Sequence, residues 1–471
     1  MHSKENNGLH QAFQYLSTLS AHSIFSRKSN SLLHEPETHS IITQESVEDF
    51  SPFTSRSNSN ITISSIDSPT PSIHCLEEPW RLLEDGNIQH DYFFSDRQDL
   101  YNGNNDQIER DSYGFKRPTQ WVQIKHLHQF DIYYQPILDK QQQTWDRMVT
   151  EFGGIYPTAD NLIRTFFVIF AVKTNVRNGI PSLHRGKVWM HYSGAKSKMQ
   201  DNPELYQSLV NTALSMGDHN EYAEIIQRDL HRTFPDNSKF ACEFLTQRDG
   251  TMVMESPETN RKLASLRRIL LAFSIHSPHI GYCQSLNYLA GFFLLFVEKE
   301  EEAFWMMVST VHDYMPKNMY DVTMEGANID QAVLMMVLQE RLPKSIWEKI
   351  NNNSESGLPP ITLVTSHWFL TMFINILPVE TVLRIWDCFF IEGYSVMFRV
   401  ALTIMQMNKD RISKLQDPIE IFQILQNMPR RLIDCATFME YVFSDQNLFA
   451  AIDQDHIIDR RNRFKASQKH C

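Results

Sequence analysis

Ile226-Gln227-Arg228-Asp229-Leu230-His231-Arg232-Thr233-Phe234-Pro235 reads as the end of a helix. Asp229 and Arg232 are three residues apart and share a face with Ile226, so one apolar anchor and two polar groups stand in register. Pro235 disfavours helical geometry at Phe234, which ends the helix about one turn after Asp229 and sets Arg232 at a rim. Further on, Gly281-Tyr282-Cys283-Gln284 follows the break Ser277-Pro278-His279-Ile280 and precedes Leu286 to Val297. That nearly all-apolar run predicts a central buried helix. Gln284 is therefore expected at a loop-to-helix junction.

Outward from this stretch the chain keeps helical spacing. Gln142 to Phe152, with Trp145, Met148, Val149 and Phe152 three and four apart, predicts an amphipathic helix ended by Gly153-Gly154. Leu162 to Val172 predicts a buried helix, too short to cross a bilayer. Gly179-Ile180-Pro181 is a turn signal ahead of a helix through Arg185-Gly186-Lys187-Val188-Trp189. Further helices are expected over Arg261 to Ile275, Asp330 to Leu342, around His367-Trp368-Phe369 up to Leu377-Pro378, Val379 to Ile391, Val396 to Met407 and Ile419 to Gln426, with a polar loop from Asn351 to Pro360. No Val/Ile-rich alternating strands recur between them, so the expected fold is all-α. No fixed period repeats, which argues against a solenoid.

Composition narrows the class. With 42% hydrophobic and 11% aromatic residues the chain can bury a substantial core. Its 44 basic and 56 acidic residues give a net charge of −12, which disfavours broad nucleic-acid binding. Cys75, Cys242, Cys283, Cys388, Cys435 and Cys471 form no Cys-x-x-Cys pair and read as reduced structural thiols of a cytosolic protein. The first residues, Met1-His2-Ser3-Lys4-Glu5-Asn6-Asn7, carry no apolar signal core, and no run is long enough to span a membrane. The terminal Gln468-Lys469-His470-Cys471 places its cysteine last, which is not a prenylation pattern. A soluble chain is expected. Residues 1–110 are rich in Ser, Thr, Asn and His and poor in apolar periodicity, so they are expected to be disordered. Within them Ser51-Pro52, Ser68-Pro69 and Thr70-Pro71 have the form of proline-directed phosphorylation sites, although a plain spacer fits equally well.

What chemistry would need an arginine and a glutamine together? Neither is a nucleophile or a general base, since arginine stays protonated and glutamine does not titrate. Taken alone, an arginine on a helix usually faces solvent. As a pair the two offer several oriented hydrogen-bond donors, suited to charge on phosphate oxygens and to an attacking water, as phosphoryl transfer requires. The chain has no Gly-x-x-x-x-Gly-Lys-Ser/Thr loop for a nucleotide of its own. The nucleotide would then be held by another protein. A rival reading uses His312-Asp313, with His276 and His279, as part of a metal phosphohydrolase. It rests on two adjacent residues, and a lone histidine is more often structural, so no metal site is expected. No His-Glu-x-x-His or Gly-x-Ser-x-Gly sequence is present.

Four motifs in order, Gly179-Ile180-Pro181 with Arg185-x-x-x-Trp189, Ile226-x-x-Asp229-x-x-Arg232, Tyr282-x-Gln284 and Ile385-Trp386-Asp387, resemble those of the TBC family of Rab GTPase-activating proteins. The resemblance implies a multi-helix TBC domain over 179–450 with its motif-bearing core at 179–407, a helical lead-in at 111–178 and a polar C-terminal tail at 451–471. It implies that Arg232 enters the active site of a GTP-bound Rab-family GTPase and that Gln284 orients the attacking water, with no independent active site in this chain. Asp229, Arg185, Trp189, Ile226 and Tyr282 would support the finger helix or meet the partner. GTP and Mg²⁺ would belong to the partner, leaving this chain without cofactors. A role in vesicle traffic is implied, in the cytoplasm and at endomembranes only through the Rab. The alternative is a Rab-binding adaptor that uses the same surface without accelerating hydrolysis. Ser285-Leu286 departs from the family pattern, where glycine and methionine commonly follow the glutamine, and the apolar run at Leu162 to Val172 is unusual ahead of the first motif.

Overall fold

The computed structural model describes residues 110–152, 154, 162–242, 244–246, 252–254, 259–351, 361–444 and 451–469. Expectations for residues 1–110 therefore lie outside the described residues save for Arg110, as does most of the Asn351 to Pro360 loop. The helices in chain order are α1 (Ile124–Phe152), α2 (Leu162–Val176), α3 (Ser182–Tyr192), α4 (Ala195–Asp201), α5 (Leu205–Met216), α6 (Ala223–Arg232), α7 (Arg261–His276), α8 (Leu286–Phe296) and α9 (Glu300–Ser309). After a π-helical turn at Thr310–Tyr314 come α10 (Glu325–Arg341), α11 (Lys344–Ile350), α12 (Ile361–Leu370), α13 (Val379–Glu392), α14 (Ser395–Lys414), α15 (Pro418–Asn427), α16 (Cys435–Phe443) and α17 (Gln454–Lys469). The fold is all-α. Besides an isolated antiparallel bridge between Arg110 and Lys116, the described residues hold a two-stranded antiparallel ribbon, β1 (Phe244–Thr246) paired with β2 (Met252–Met254), too short to show as an alternating pattern.

The apolar run after Gln284 forms α8, buried over most of its surface and packed between α7, α9, α6 and α3. Its Phe292 and Phe293 lie 4.8 and 5.0 Å from the Trp386 ring of α13, and Trp386 in turn lies 5.7 Å from Trp189 of α3. These aromatic contacts join α8, α13 and α3 through area burial and ring geometry. Asn260 caps α7 by accepting from the N–H groups of Lys262 and Leu263 at 3.0 and 3.1 Å, satisfying two donors that a helix start leaves open.

Several elements differ from the sequence expectation. The helix expected from Gln142 starts at Ile124 and runs through Pro136, because Leu127, Phe130, Tyr134, Trp145 and Met148 keep one continuous buried face that outweighs the proline's missing donor. In α2, Val168, Val172 and Val176 are buried while Phe170 is 62% exposed, so the described side chains pack by one face. The helix through His367-Trp368-Phe369 ends at Leu370, not at Leu377, and Met372, Phe373 and Asn375 follow with positive φ. The polar stretch expected as a tail is helical in α17, where Arg461 reaches Asp330 of α10 through Nε at 2.7 Å and Nη2 at 2.9 Å. Helices α4, α5, α9, α11 and α16 lie outside the sequence expectation; α9 holds an apolar run from Ala303 to Val308 that is buried on all sides and so shows no one-faced spacing. No described helix is long and apolar enough to cross a membrane.

Candidate functional site

Helix α6 ends where Pro235 demands. Thr233 is extended and Phe234 takes φ +52, so Arg232 is the last helical residue and its side chain stands at the rim, 38% exposed. Asp229, one turn back and almost fully buried, holds the guanidinium by an Oδ1 to Nη2 contact of 2.5 Å. Burial opposes the charge on Arg232, but the Asp229 carboxylate outweighs it and the guanidinium pKa is raised. Its Nε is buried without a partner among the described residues. Ile226, on the same face, is fully buried and anchors the helix.

The second oxygen of Asp229 accepts from the Tyr282 hydroxyl at 2.5 Å. One carboxylate therefore joins the arginine helix to the loop that carries Gln284. Gly281, with φ +61, lets that loop pass over the Tyr222 ring at the start of α6, where a β-carbon would collide. Burial holds the Tyr282 phenol well above its ordinary pKa, with Asp229 adding to the effect, so the group remains a donor. Burial likewise pushes the Cys283 thiol up to about 12, which leaves it a protonated, unreactive neighbour. Gln284 itself sits half-buried in the turn before α8, and no side-chain hydrogen bond is formed among the described residues.

Two features beside Gln284 come from the fold: the backbone conformation of Ser285, which the sequence marks only as a departure, and the bonding of Asn287. Ser285 has φ +107, a conformation L side chains rarely adopt, and its buried hydroxyl has no partner among the described residues. Asn287 is fully buried in the first turn of α8, bonded to the Ser285 N–H at 3.1 Å and to Thr233 Oγ1 at 2.8 Å. An asparagine inside an otherwise apolar helix was the signal that could have found it.

Arg185 and Trp189 lie elsewhere. They converge on Asp387 of the Ile385-Trp386-Asp387 motif: Trp189 Nε1 donates to Oδ1 at 2.9 Å, Arg185 Nε to the same oxygen at 3.1 Å, and the Ile180 N–H to Oδ2 at 2.9 Å. Arg185 also donates to the Tyr113 hydroxyl at 3.2 Å. Burial raises the Asp387 pKa and the Arg185 charge opposes it, while Arg185 stays cationic. This buried node ties α3 to α13. It reaches the α6 end by packing, from Trp189 to Phe296 at 5.6 Å, Phe296 to Phe292 at 5.0 Å and Phe292 to Phe234 at 6.4 Å, and by hydrogen bonds through Tyr113, whose carbonyl accepts from Asn237 Nδ2 at 3.2 Å while the Asn237 N–H donates to the Phe234 carbonyl at 2.9 Å.

The histidines of the rival reading gather at a different place. His276, His279 and His312 line a cavity of about 320 Å³ together with Lys198 and Trp305. His312 Nε2 and His276 Nδ1 both bond Ser277 Oγ, at 2.7 and 2.9 Å, whereas Asp313 turns away to Lys198 at 3.2 Å. Burial lowers the pKa of both His276 and His312, with their cationic neighbours adding to it. Among the described residues no group of three or more His, Cys, Asp or Glu side chains is placed to hold a metal.

Residues 182–413 match the Rab-GTPase-TBC domain family. Growth hormone-regulated TBC protein 1 of Homo sapiens is 35% identical over 340 residues, covering 71% of this chain and 89% of that protein. The chain belongs to the Rab-GTPase-TBC domain family. GTPase-activating protein GYP3 of Saccharomyces cerevisiae is 32% identical over 417 residues, 76% of this TBC chain, and the match spans 64% of that longer relative. The TBC fold is shared with the Chlamydomonas flagellar RabGAP TBC domain, at a TM-score of 0.54 and 23% identity over 72% of this chain and 100% of that one.

Proposed function

We propose that this TBC protein is a GTPase activator for a Rab-family small GTPase in its GTP-bound form, with Arg232 and Gln284 completing an active site whose GTP and Mg²⁺ the partner holds. The observation that carries the reading is the shared carboxylate: Asp229 bonds Arg232 and Tyr282 at once, which brings the arginine and the glutamine loop together at one rim. The names of GYP3 and of the yeast GTPase-activating protein MSB4, 29% identical over 429 residues, support the activity.

Arg232 would meet the γ-phosphoryl group and neutralise the charge that develops there, and Gln284 would orient the attacking water. Catalysis of this kind is positioning and electrostatics, so the chain supplies donors and no nucleophile. Arg185 and Trp189 act at a distance by fixing the scaffold through Asp387. The protein works in the cytoplasm and meets endomembranes through its lipid-anchored partner, regulating vesicle traffic. In single-turnover hydrolysis with a panel of GTP-loaded Rab proteins, wild type accelerates at least one, by roughly 10³ to 10⁵ as arginine fingers do. Arg232→Ala abolishes the acceleration. A wild type that binds a GTP-loaded Rab and leaves its hydrolysis unchanged would replace this reading with an adaptor.

A further inference from the structure

Gln284 lies between two ties to the arginine helix. Tyr282, two residues before it, donates to the Asp229 carboxylate. The second tie runs from the residue after it. Thr233 Oγ1 donates to the Asp229 carbonyl at 2.7 Å and accepts from Asn287 Nδ2 at 2.8 Å, while Asn287 Oδ1 accepts the Ser285 N–H at 3.1 Å. The direction of each bond is settled by chemistry. A backbone N–H can only donate, so the amide oxygen of Asn287 faces Ser285 and its nitrogen faces Thr233.

We propose that Asn287 is a positioning residue that locks the Gln284 loop to the C-terminal end of the arginine helix, so that the two donors move as one unit. This rests on the reading of Arg232 and Gln284 as the pair that acts on a partner's GTP. The lock holds a strained element. Ser285 carries a β-carbon at φ +107, where glycine is at ease and other residues are not, and its hydroxyl recovers nothing by hydrogen bonding among the described residues. Left to itself the Gln284-Ser285 peptide would relax to negative φ and turn the glutamine out of its present setting. Asn287 opposes that motion by bonding the N–H that would rotate. A buried amide in an apolar helix is costly unless bonded on both sides, and both sides are used here.

An alternative is that Asn287 merely closes the start of α8. The two accounts part at Ser285. If Asn287 holds a strained peptide, relieving the strain makes it dispensable; if it only caps the helix, Ser285→Gly restores nothing. The test uses the full chain and a GTP-loaded Rab that wild type activates. Asn287→Ala is expected to lower the maximal single-turnover rate on the order of 10²-fold, the scale of a misplacement of about 1 Å. The concentration for half-maximal rate should change by less than about threefold, because the docking surface is untouched. Ser285→Gly alone should reach at least the wild-type rate, and Ser285→Gly with Asn287→Ala should regain about tenfold or more over Asn287→Ala.

Amide hydrogen exchange on the same variants, with no GTPase present, supplies a second readout. Asn287→Ala should lose protection at the Ser285 amide while α7 and α13 keep theirs, which also shows that the variant is folded. An unchanged Ser285 amide, a fully active Asn287→Ala, or a double variant no better than Asn287→Ala overturns the proposal. A wild type that activates no Rab would instead defeat the functional reading, and the exchange measurement would still decide whether Asn287 is the tether.

Discussion

Replacing Asp229 separates what Arg232 and Tyr282 each owe to their common carboxylate. Asp229→Asn keeps the size of the side chain and an acceptor for the Tyr282 hydroxyl, and loses the charge that holds the guanidinium. Asp229→Ala loses both. Arg232 is 38% exposed, so its pair with Asp229 is screened and worth about 1 kcal/mol or less. Tyr282 is buried, and its hydroxyl without an acceptor costs about 1–3 kcal/mol. Asp229→Asn should therefore lower the unfolding free energy by about 1 kcal/mol at most, and Asp229→Ala by about 2–4 kcal/mol, read from urea unfolding followed by circular dichroism. Hydrolysis should not follow that order. Arg232 loses its alignment in both variants, so both should drop in maximal rate by about 10- to 100-fold, with Asp229→Asn nearly as impaired as Asp229→Ala. An Asp229→Asn protein with the wild-type rate would refute the idea that the carboxylate orients the arginine. Equal destabilisation by the two substitutions would refute the assignment of the structural cost to Tyr282.

Two further outcomes follow from ionisable groups taken out of water. Arg461→Ala strands the buried Asp330 carboxylate, which retains only the Tyr394 hydroxyl at 2.6 Å among its described partners, and should cost about 3–5 kcal/mol; limited proteolysis should then cut within 454–469, where wild type resists. Burial, with Arg430 adding to it, lowers His367 from 6.5 to about 4, so the folded protein keeps the ring neutral while the unfolded chain takes up a proton below pH 6.5. That contribution to stability is fully present above pH 6.5 and is lost as pH falls toward about 4, and His367→Gln should flatten the fall in urea midpoints over this window.

Local spacing was enough to find α6, its end at Arg232 and the apolar helix behind Gln284. Asp229 and Arg232 share a helix face by geometry alone, and Pro235 acts on its immediate neighbour, so neither needed tertiary structure. Pairings between distant elements were not legible. Asp387 lies some two hundred residues from Arg185 and Trp189, and nothing in the spacing of either motif says that the carboxylate of one serves the donors of the other. The same holds for α17, whose polar sequence reads as a tail until Asp330 is seen buried beneath Arg461. In α1 a continuous apolar face over many turns carries the helix from Ile124 through Pro136, offsetting the loss of a single backbone hydrogen bond.

Ser285 shows how a departure from a family pattern acquires physical content. In the sequence it is a serine where a glycine is common, a change that bears on how closely a partner's backbone approaches Gln284. In the fold it is a β-carbon at φ +107 on the residue beside the glutamine, held there by an asparagine that the apolar run had hidden. Glycine would take that conformation without cost, so a chain with glycine there needs the asparagine less. A chain with serine depends on it more. The sensitivity of hydrolysis to Asn287 should therefore scale with the residue at 285, being greatest for a β-branched residue such as Ser285→Val, intermediate for serine and least for glycine.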